Sequence, residues 1–300
     1  MYRKALAVAM LVALAGVAQA RELTWSYVVP ATANKTGALG TDWHTDLTVV
    51  NPHNYNVPIV LQYLKTGQDN SSGVPTIEIE ILPLETLNFW NVLGENGFKA
   101  PGTTGAVLVY GDDTKMSCQS HACDISVFAR TYTLDPAGGQ GEFGQAVPGF
   151  PTNFGLDSTV LAFMPQIMDD QDFRTNVGVV SLTNALVKVR FDLQDKDGNV
   201  VSRTDHMLPP FGHSQWRLEA GVTGGTVVAY IQEGPAGAVV VPYASVVNNA
   251  SGDGVNVEAD MTAVGVSIQS PSHRGTARLP GRVLVPNFVV ERHQGRPVAR

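Results

Sequence analysis

Two cysteines with a histidine between them form the part of the sequence best suited to chemistry. The residues are Cys118, His121 and Cys123, and the chain contains 2 cysteines in all. In an oxidising compartment, two cysteines this close in sequence form a disulfide. If they stay reduced, the two thiolates and the imidazole could bind zinc or copper, and Asp112 or Asp113 could add a fourth ligand. The sequence favours the disulfide and leaves the metal site as the alternative.

Acidic residues cluster in two segments and raise the question of a calcium site. Asp169, Asp170 and Asp172 precede a predicted strand, and Asp195 and Asp197 lie in an Asp-Lys-Asp-Gly-Asn segment between two strand-like stretches. Calcium takes oxygen ligands from such loops. Asp-Gly is also a strong hairpin signal, because glycine readily adopts the positive φ of a tight turn. We therefore expect turns at both places, with calcium as the alternative.

Tryptophan side chains offer a third type of site. Trp43, Trp90 and Trp216 could stack on sugar rings if they are exposed, which would indicate a carbohydrate-binding module. Trp90 and Trp216 fall at similar places in the two repeats described below. This similarity favours packing in the core.

No set of residues in the sequence indicates catalysis. His44, His53, His206 and His213 are scattered, with no spacing of a recognised metal motif. The Gly-x-Ser-x-Gly motif that would mark a serine nucleophile is absent from the sequence. We therefore predict a non-catalytic protein without a cofactor.

The first twenty residues have the composition of an export signal. Two basic residues precede the uncharged, apolar segment 5–17, and the small residues Ala18 and Ala20 suit cleavage after Ala20. The apolar segment is shorter than the roughly 20 residues that cross a bilayer, which disfavours a membrane anchor. We predict a signal peptide over 1–20, no membrane span in the mature chain, and a periplasmic or secreted protein.

The composition limits the fold classes and the classes of partner to be expected for the mature part. Cleavage removes two of the 20 basic residues and none of the 27 acidic ones, which leaves a net charge of −9. An acidic surface repels phosphate backbones, so we predict that the protein does not bind nucleic acid. The 30 glycines and 18 prolines favour many short strands joined by turns.

The mature sequence contains the same series of blocks twice. Residues 43–51 align with 173–181, 57–63 with 187–193, 82–83 with 208–209, 105–110 with 225–230, and 127–130 with 242–245. The order is kept while the offset shrinks from 130 to 115, as expected for a duplicated domain whose loops differ in length. Several blocks alternate apolar and polar residues with the period of two that is typical of strands.

These blocks predict an all-β protein with two tandem β-sandwich modules. Module one is predicted over 22–150 and module two over 158–260, joined by a glycine- and proline-rich linker or loop within 138–152. A C-terminal extension, 261–300, is predicted to be partly disordered. Short helical turns are predicted at 87–93 and, at the equivalent place in module two, at 215–220.

The second copy resembles immunoglobulin-like repeats of secreted bacterial proteins. The resemblance is carried by Phe-Arg-Thr-Asn-Val-Gly-Val-Val at 173–180, an Asp-Gly turn, Leu-Pro-Pro at 208–210, and Tyr-Ala-Ser-Val-Val-Asn-Asn at 243–249. It covers module two well and module one loosely. It implies an immunoglobulin-like sandwich and export, and it implies no catalytic residues.

Taken together, the sequence predicts an exported structural or interaction protein. Its two sandwiches would present their loops to a protein or glycan of the cell envelope or the extracellular space. Two alternatives are a carbohydrate-binding module and a metal-binding protein that uses the loop from Cys118 to Cys123. Because function depends on sites more than on fold, the choice among them requires the structure.

Overall fold

The computed structural model of the chain describes residues 23–115, 118 and 122–263. These residues form β-strands joined by turns and two short 3₁₀ helices, so the predicted all-β class is confirmed. The predicted signal peptide and residues 264–300 of the predicted extension lie outside the described residues. Within the described ranges, no helix has the length and hydropathy to cross a membrane.

The strands divide into two sets of nine. The first set is β1 Ser26–Thr36, β2 Asp42–Val50, β3 Val57–Lys65, β4 Thr76–Ile81, β5 Thr86–Phe89, β6 Thr103–Gly111, β7 Ser126–Leu134, β8 Glu142–Pro148 and β9 Phe150–Pro151. The second set is β10 Val160–Met168, β11 Phe173–Ser181, β12 Val187–Gln194, β13 Val200–Leu208, β14 His213–Arg217, β15 Thr223–Glu233, β16 Val240–Asn248, β17 Gly254–Glu258 and β18 Asp260–Ala263. The 3₁₀ helices are Ala38–Gly40 and Thr152–Phe154.

The pairing order of the first set recurs in the second. In the first half, one layer has the order β4-β3-β6-β1 with β9 beside β1, and the other has the order β5-β2-β7-β8; β1 pairs into both layers. In the second half, the layers are β13-β12-β15-β10-β18 and β14-β11-β16-β17. Each strand of the first half thus has a counterpart nine strands later with the same neighbours, except that β1 also pairs with β2 whereas β10 and β11 lie in separate sheets. All of these named pairs are antiparallel.

Each half buries an apolar core between its two layers. In the first half, Leu61 and Val107 of one layer pack in the same cluster as Leu47 of the other. In the second half, Phe191 and Val177 belong to the corresponding cluster. Since successive side chains of a strand point to opposite faces, the polar residues between these positions lie on the outside. The result is a β-sandwich-like arrangement in each half.

A threonine at the same place in each half ties the first strand to the second. In the first half, the Thr45 hydroxyl accepts a hydrogen bond from the backbone N–H of Ala33 at 2.8 Å. In the second half, the Thr175 hydroxyl donates to the carbonyl of Met168 at 2.6 Å. Both threonines are fully buried, and both first strands carry register shifts. A shift of this kind bends a strand, which allows it to reach the opposite layer.

Three predictions about connecting segments are wrong. The predicted linker 138–152 contains β8, which pairs with β7, and β9, which pairs with β1. The segments 87–93 and 215–220, predicted as helical turns, contain no helix: 87–89 and 215–217 lie on strands β5 and β14, which pair with β2 and β11, and 90–93 form non-helical turns. In each case, pairing with a neighbouring strand overrides the local preference of the segment.

The two halves pack together through one outer face of each. Val28, Leu64 and Ala106 project from β1, β3 and β6, and they form one buried cluster with Val180 and Val241 of the second half. Burial of apolar surface is the main force that favours this contact. The junction therefore joins the outside of the layer β4-β3-β6-β1 to the outside of the layer β14-β11-β16-β17.

A buried histidine joins the halves at this junction. His213 begins β14 and is 1% exposed. Its Nδ1 lies 2.8 Å from the hydroxyl of Thr66, and its Nε2 lies 3.0 Å from the carbonyl of Pro30 and 2.9 Å from the hydroxyl of Tyr243. Burial lowers the pKa of the His213 imidazole to about 4, against a smaller opposing effect of the hydrogen bond to Pro30. The imidazole is therefore neutral at pH 7.

Protonation of His213 is expected to make stability depend on pH. The unfolded chain binds a proton here below about pH 6.5, whereas the folded protein binds it only near pH 4. We therefore expect the free energy of unfolding to fall as the pH drops from about 6.5 to about 4, with a change of up to about tenfold in the folding equilibrium per pH unit.

Urea unfolding at a series of pH values measures this dependence. His213→Gln should be less stable than the unaltered protein at pH 7.5 and should show a shallower decline towards pH 4. His53→Gln, which removes a histidine away from the junction, serves as the matched control and should keep the original slope. An unchanged slope in His213→Gln would contradict this assignment.

Candidate functional site

The outside of the layer β5-β2-β7-β8 is the candidate functional site. The equivalent face of the second half is covered by the junction, whereas in the first half Trp90 is 71% exposed and Phe128 is 46% exposed. We call this surface the open face. It consists of His44, Asp46, Thr48, Asn88, Trp90, Asn91, Phe128, Arg130 and Tyr132.

The backbone beside Trp90 is held by the side chain of a neighbouring strand. The Asp46 carboxylate accepts a hydrogen bond from the backbone N–H of Asn91 at 2.8 Å. Asn91 has a left-handed conformation with φ of 53°, which asparagine tolerates better than most residues. Its amide nitrogen lies 3.1 Å from Nδ1 of His44, and its buried Oδ1 has no hydrogen-bond partner among the described residues. This network fixes the backbone directly after the exposed Trp90.

Charged and aromatic groups continue across the open face on β7. The Arg130 guanidinium lies 4.7 Å from the ring centroid of Tyr132, which is a cation–π distance. The same guanidinium forms an ion pair of 2.6 Å with Glu142 on β8. Burial, together with the negative charge of Asp46, raises the pKa of the Tyr132 hydroxyl, which therefore stays protonated. Arg130 thus has its charge compensated and covers one side of the Tyr132 ring.

A second row of the open face carries a hydrogen-bonded pair and an aromatic ring. Thr48 pairs with Asn88 on β5 and with Phe128 on β7. The Thr48 hydroxyl donates to Oδ1 of Asn88 at 2.8 Å. Two strand spacings of about 4.8 Å and two residues of about 3.4 Å separate Trp90 from Phe128, so their Cα atoms lie about 12 Å apart. Polar groups thus occupy the space between two exposed aromatic rings.

An open groove lies next to the open face, at a place where the two halves meet. It has a volume of about 440 Å³ and lies between β8 and β17, with Ala146 and Pro148 on one side and Val255 and Glu258 on the other. Ala146 pairs with Arg130, so the groove continues the open face. The surface therefore runs from β5 of the first half to β17 of the second.

Trp90 and Trp216 lie at similar places, one residue apart, but the prediction that Trp90 packs in the core is wrong. Trp216 pairs with Val177, and Val177 is the counterpart of Leu47, whose partner on β5 is Phe89. The counterpart of Trp216 is therefore Phe89, which faces the core. Because side chains alternate along a strand, the next residue, Trp90, lies on the opposite face and is exposed.

The other two tryptophans that were predicted to bind a ligand, Trp43 and Trp216, are partly buried. The ring of Trp216 packs edge-on against Phe191 with centroids 4.8 Å apart and stacks on His206 at 3.7 Å. The indole N–H of Trp43 donates to the hydroxyl of Thr41 at 2.9 Å. Of the three tryptophans predicted as ligand-binding residues, Trp90 is the one that the fold exposes.

The predicted disulfide is formed. Cys118 and Cys123 are bonded with Cα atoms 5.4 Å apart, a separation that is ordinary for a disulfide. The Tyr55 hydroxyl donates to the carbonyl of Ala122 at 2.7 Å and holds the end of the loop. His121 lies outside the described residues. Bonded sulfurs offer no thiolate, so the zinc or copper site remains a prediction for the reduced protein.

The acidic clusters are engaged in turns. The Asp195 carboxylate accepts backbone hydrogen bonds of 2.9 Å from Asp197 and Asn199, and it closes the predicted hairpin between β12 and β13. The buried Asp169 carboxylate accepts a bond of 2.8 Å from the backbone of Ala220. Across the described ranges, no group of three or more His, Cys, Asp or Glu side chains is placed to hold a metal ion.

Comparison with known proteins identifies no family. No protein-family model and no curated protein matches the chain. Among solved structures, the C-terminal domain of the Streptococcus pyogenes antigen I/II-family protein AspA aligns with 80% of this chain and 100% of its own, at 12% identity and a TM-score of 0.18. Bifidobacterium dentium beta-glucuronidase complexed with coumarin-3-O-glucuronide aligns with 79% of this chain and 39% of its own, at 8% identity and a TM-score of 0.14. These scores are too low to carry an argument.

Substitution of Trp90 and of Trp216 tests the assignment of faces. Trp90→Ala should change the free energy of unfolding by less than about 0.5 kcal/mol, because the exposed ring contributes little packing. Trp216→Ala should lower it by about 2–4 kcal/mol, because it leaves a cavity against Phe191 and His206. Chemical denaturation measures both values. Equal losses in the two variants would show that the faces are assigned wrongly.

Thiol chemistry tests the disulfide. We expect the purified protein to resist alkylation until a reductant is added, and its intact mass to be two hydrogens below that of the reduced chain. The double variant Cys118→Ser, Cys123→Ser should lose about 2 kcal/mol of stability, since the closed loop is short. Alkylation of both thiols without reductant, together with copurified zinc or copper, would support the metal site instead.

Proposed function

We propose that this chain is an exported, non-catalytic interaction protein of the periplasm or the extracellular space. In this proposal, two immunoglobulin-like β-sandwich modules arose by duplication and form a fixed support. The open face of the first module binds a component of the cell envelope or the extracellular medium. The repeated pairing order of the two halves supports the duplication.

The main support is that the same face is buried in the second half and exposed in the first. In the second half, this face carries apolar residues and the buried His213, and it packs against the first half. In the first half, one equivalent position keeps a valine, two hold polar residues, and one holds the exposed ring of Phe128. The pairs of equivalent positions are Val180 and Val50, Val241 and Ser126, His213 and Thr86, and Tyr243 and Phe128. A duplicated surface that has replaced most of its packing residues with polar ones and exposes an aromatic ring suits recognition of another molecule.

Export is supported independently by the cysteines and the first twenty residues. A disulfide between Cys118 and Cys123 is typical of proteins that fold in oxidising compartments. The basic start, the apolar segment 5–17 and the small residues before Arg21 have the features of a cleaved signal. Both features favour the periplasm or the cell exterior.

A crosslinking pull-down tests the proposed function. The tagged, signal-processed protein would be crosslinked in the cell envelope of its source organism, and the captured material would be compared with that of Trp90→Ala. We expect a reproducible partner whose recovery falls with Trp90→Ala. Phe154→Ala, which removes another exposed aromatic ring, is the matched control and should retain the partner. Recovery of the bare protein alone, or equal recovery with Trp90→Ala, would contradict the proposal.

A further inference from the structure

We propose that the open face binds a neutral carbohydrate, with Trp90 as its stacking platform. This inference rests on the proposed function and specifies the chemical class of the partner. It depends on the exposure of one ring, the polar groups beside that ring, the balance of charge, and the contrast with the junction face of the second half.

Trp90 offers an exposed ring on a backbone that is hydrogen-bonded to the neighbouring strand. Its indole is 71% exposed, while the next residue, Asn91, is bound through its backbone to Asp46. A sugar ring has an apolar face of C–H groups, and this face packs well on a large aromatic ring. Because the backbone is already ordered, little conformational entropy is lost when a ligand binds.

The groups beside Trp90 suit the hydroxyl rim of a sugar. Asp46 supplies carboxylate oxygens, Asn88 an amide, Thr48 a hydroxyl and His44 an imidazole, all from the outward side of β2 and β5. Such groups both donate and accept hydrogen bonds, as a polyol requires. An aromatic ring flanked by a few polar side chains is the usual arrangement of a site for a small polar ligand.

The balance of charge favours a neutral ligand. Asp42, Asp46 and Glu142 place carboxylates on or beside the open face, and Arg130 is already paired with Glu142 at 2.6 Å. An anionic sugar would therefore meet uncompensated negative charge. A quaternary ammonium ligand needs several free aromatic faces, but Arg130 covers one face of the Tyr132 ring. A neutral polyol meets neither obstacle.

The contrast with the junction favours a sugar over a protein domain. The face of the second half that docks a sandwich has apolar residues at its centre, namely Val180 and Val241 with the ring of Tyr243. The centre of the open face is polar, and on either side of it lie Trp90 and Phe128, whose Cα atoms are about 12 Å apart. The adjoining groove of about 440 Å³ lengthens this surface. An extended oligosaccharide fits such a surface better than a second sandwich does.

Binding to defined sugars tests this inference. The signal-processed protein would be screened against immobilised neutral and anionic oligosaccharides, and the strongest neutral binder would be titrated by calorimetry. We expect binding of at least one neutral oligosaccharide. Trp90→Ala should weaken it by at least about tenfold, which corresponds to the loss of one stacking contact. Trp90→Phe should retain part of the affinity, and Phe154→Ala should bind like the unaltered protein.

The outcomes separate this inference from the proposed function. Binding to no neutral oligosaccharide, binding only to anionic ones, or equal affinity of Trp90→Ala would overturn the carbohydrate assignment. If the pull-down nevertheless gives a protein partner that depends on Trp90 and survives enzymatic deglycosylation, the proposed function stands and the ligand is a protein. Loss of both the glycan and the pull-down partner overturns both.

Discussion

The contact between the two halves through His213 is the interaction on which the arrangement of the molecule depends. The imidazole is buried, neutral and hydrogen-bonded to Thr66 and Pro30 of the first half. A buried polar group that loses its partners costs far more than the bonds contribute when they are made. The histidine therefore favours one relative position of the halves, in addition to the apolar contact around Val180 and Val241.

The same face of the β-sandwich-like arrangement is packed in the second half and exposed in the first. Tyr243 lies over Gly178, and a Cβ at Gly178 would collide with its ring. The equivalent residues of the first half are Thr48 and Phe128. Thr48 carries a side chain where the second half has glycine, and Phe128 is 46% exposed. A glycine-to-threonine difference thus distinguishes a packed junction from an open face.

Much of the fold could be predicted from the sequence because it depends on local pattern. Alternation of apolar and polar residues indicates strands, and the order of the repeated blocks matches the order of equivalent strands. The hairpin at Asp195 and the disulfide also follow from short segments, 195–199 and 118–123. The short strands β5, β8 and β14 were not predicted, since their conformation depends on a neighbouring strand that is distant in sequence.

The sequence by itself determined the all-β class, the duplicated order of strands and the pairing of Cys118 with Cys123. Only the tertiary structure decided which tryptophan is exposed, because a shift of one residue moves a side chain to the other face of a sheet. The tertiary structure also decided that His213 is buried and that Asp46 and Asn91 support Trp90. These residues are far apart in the chain, and strand register brings them together; no short sequence motif records that register.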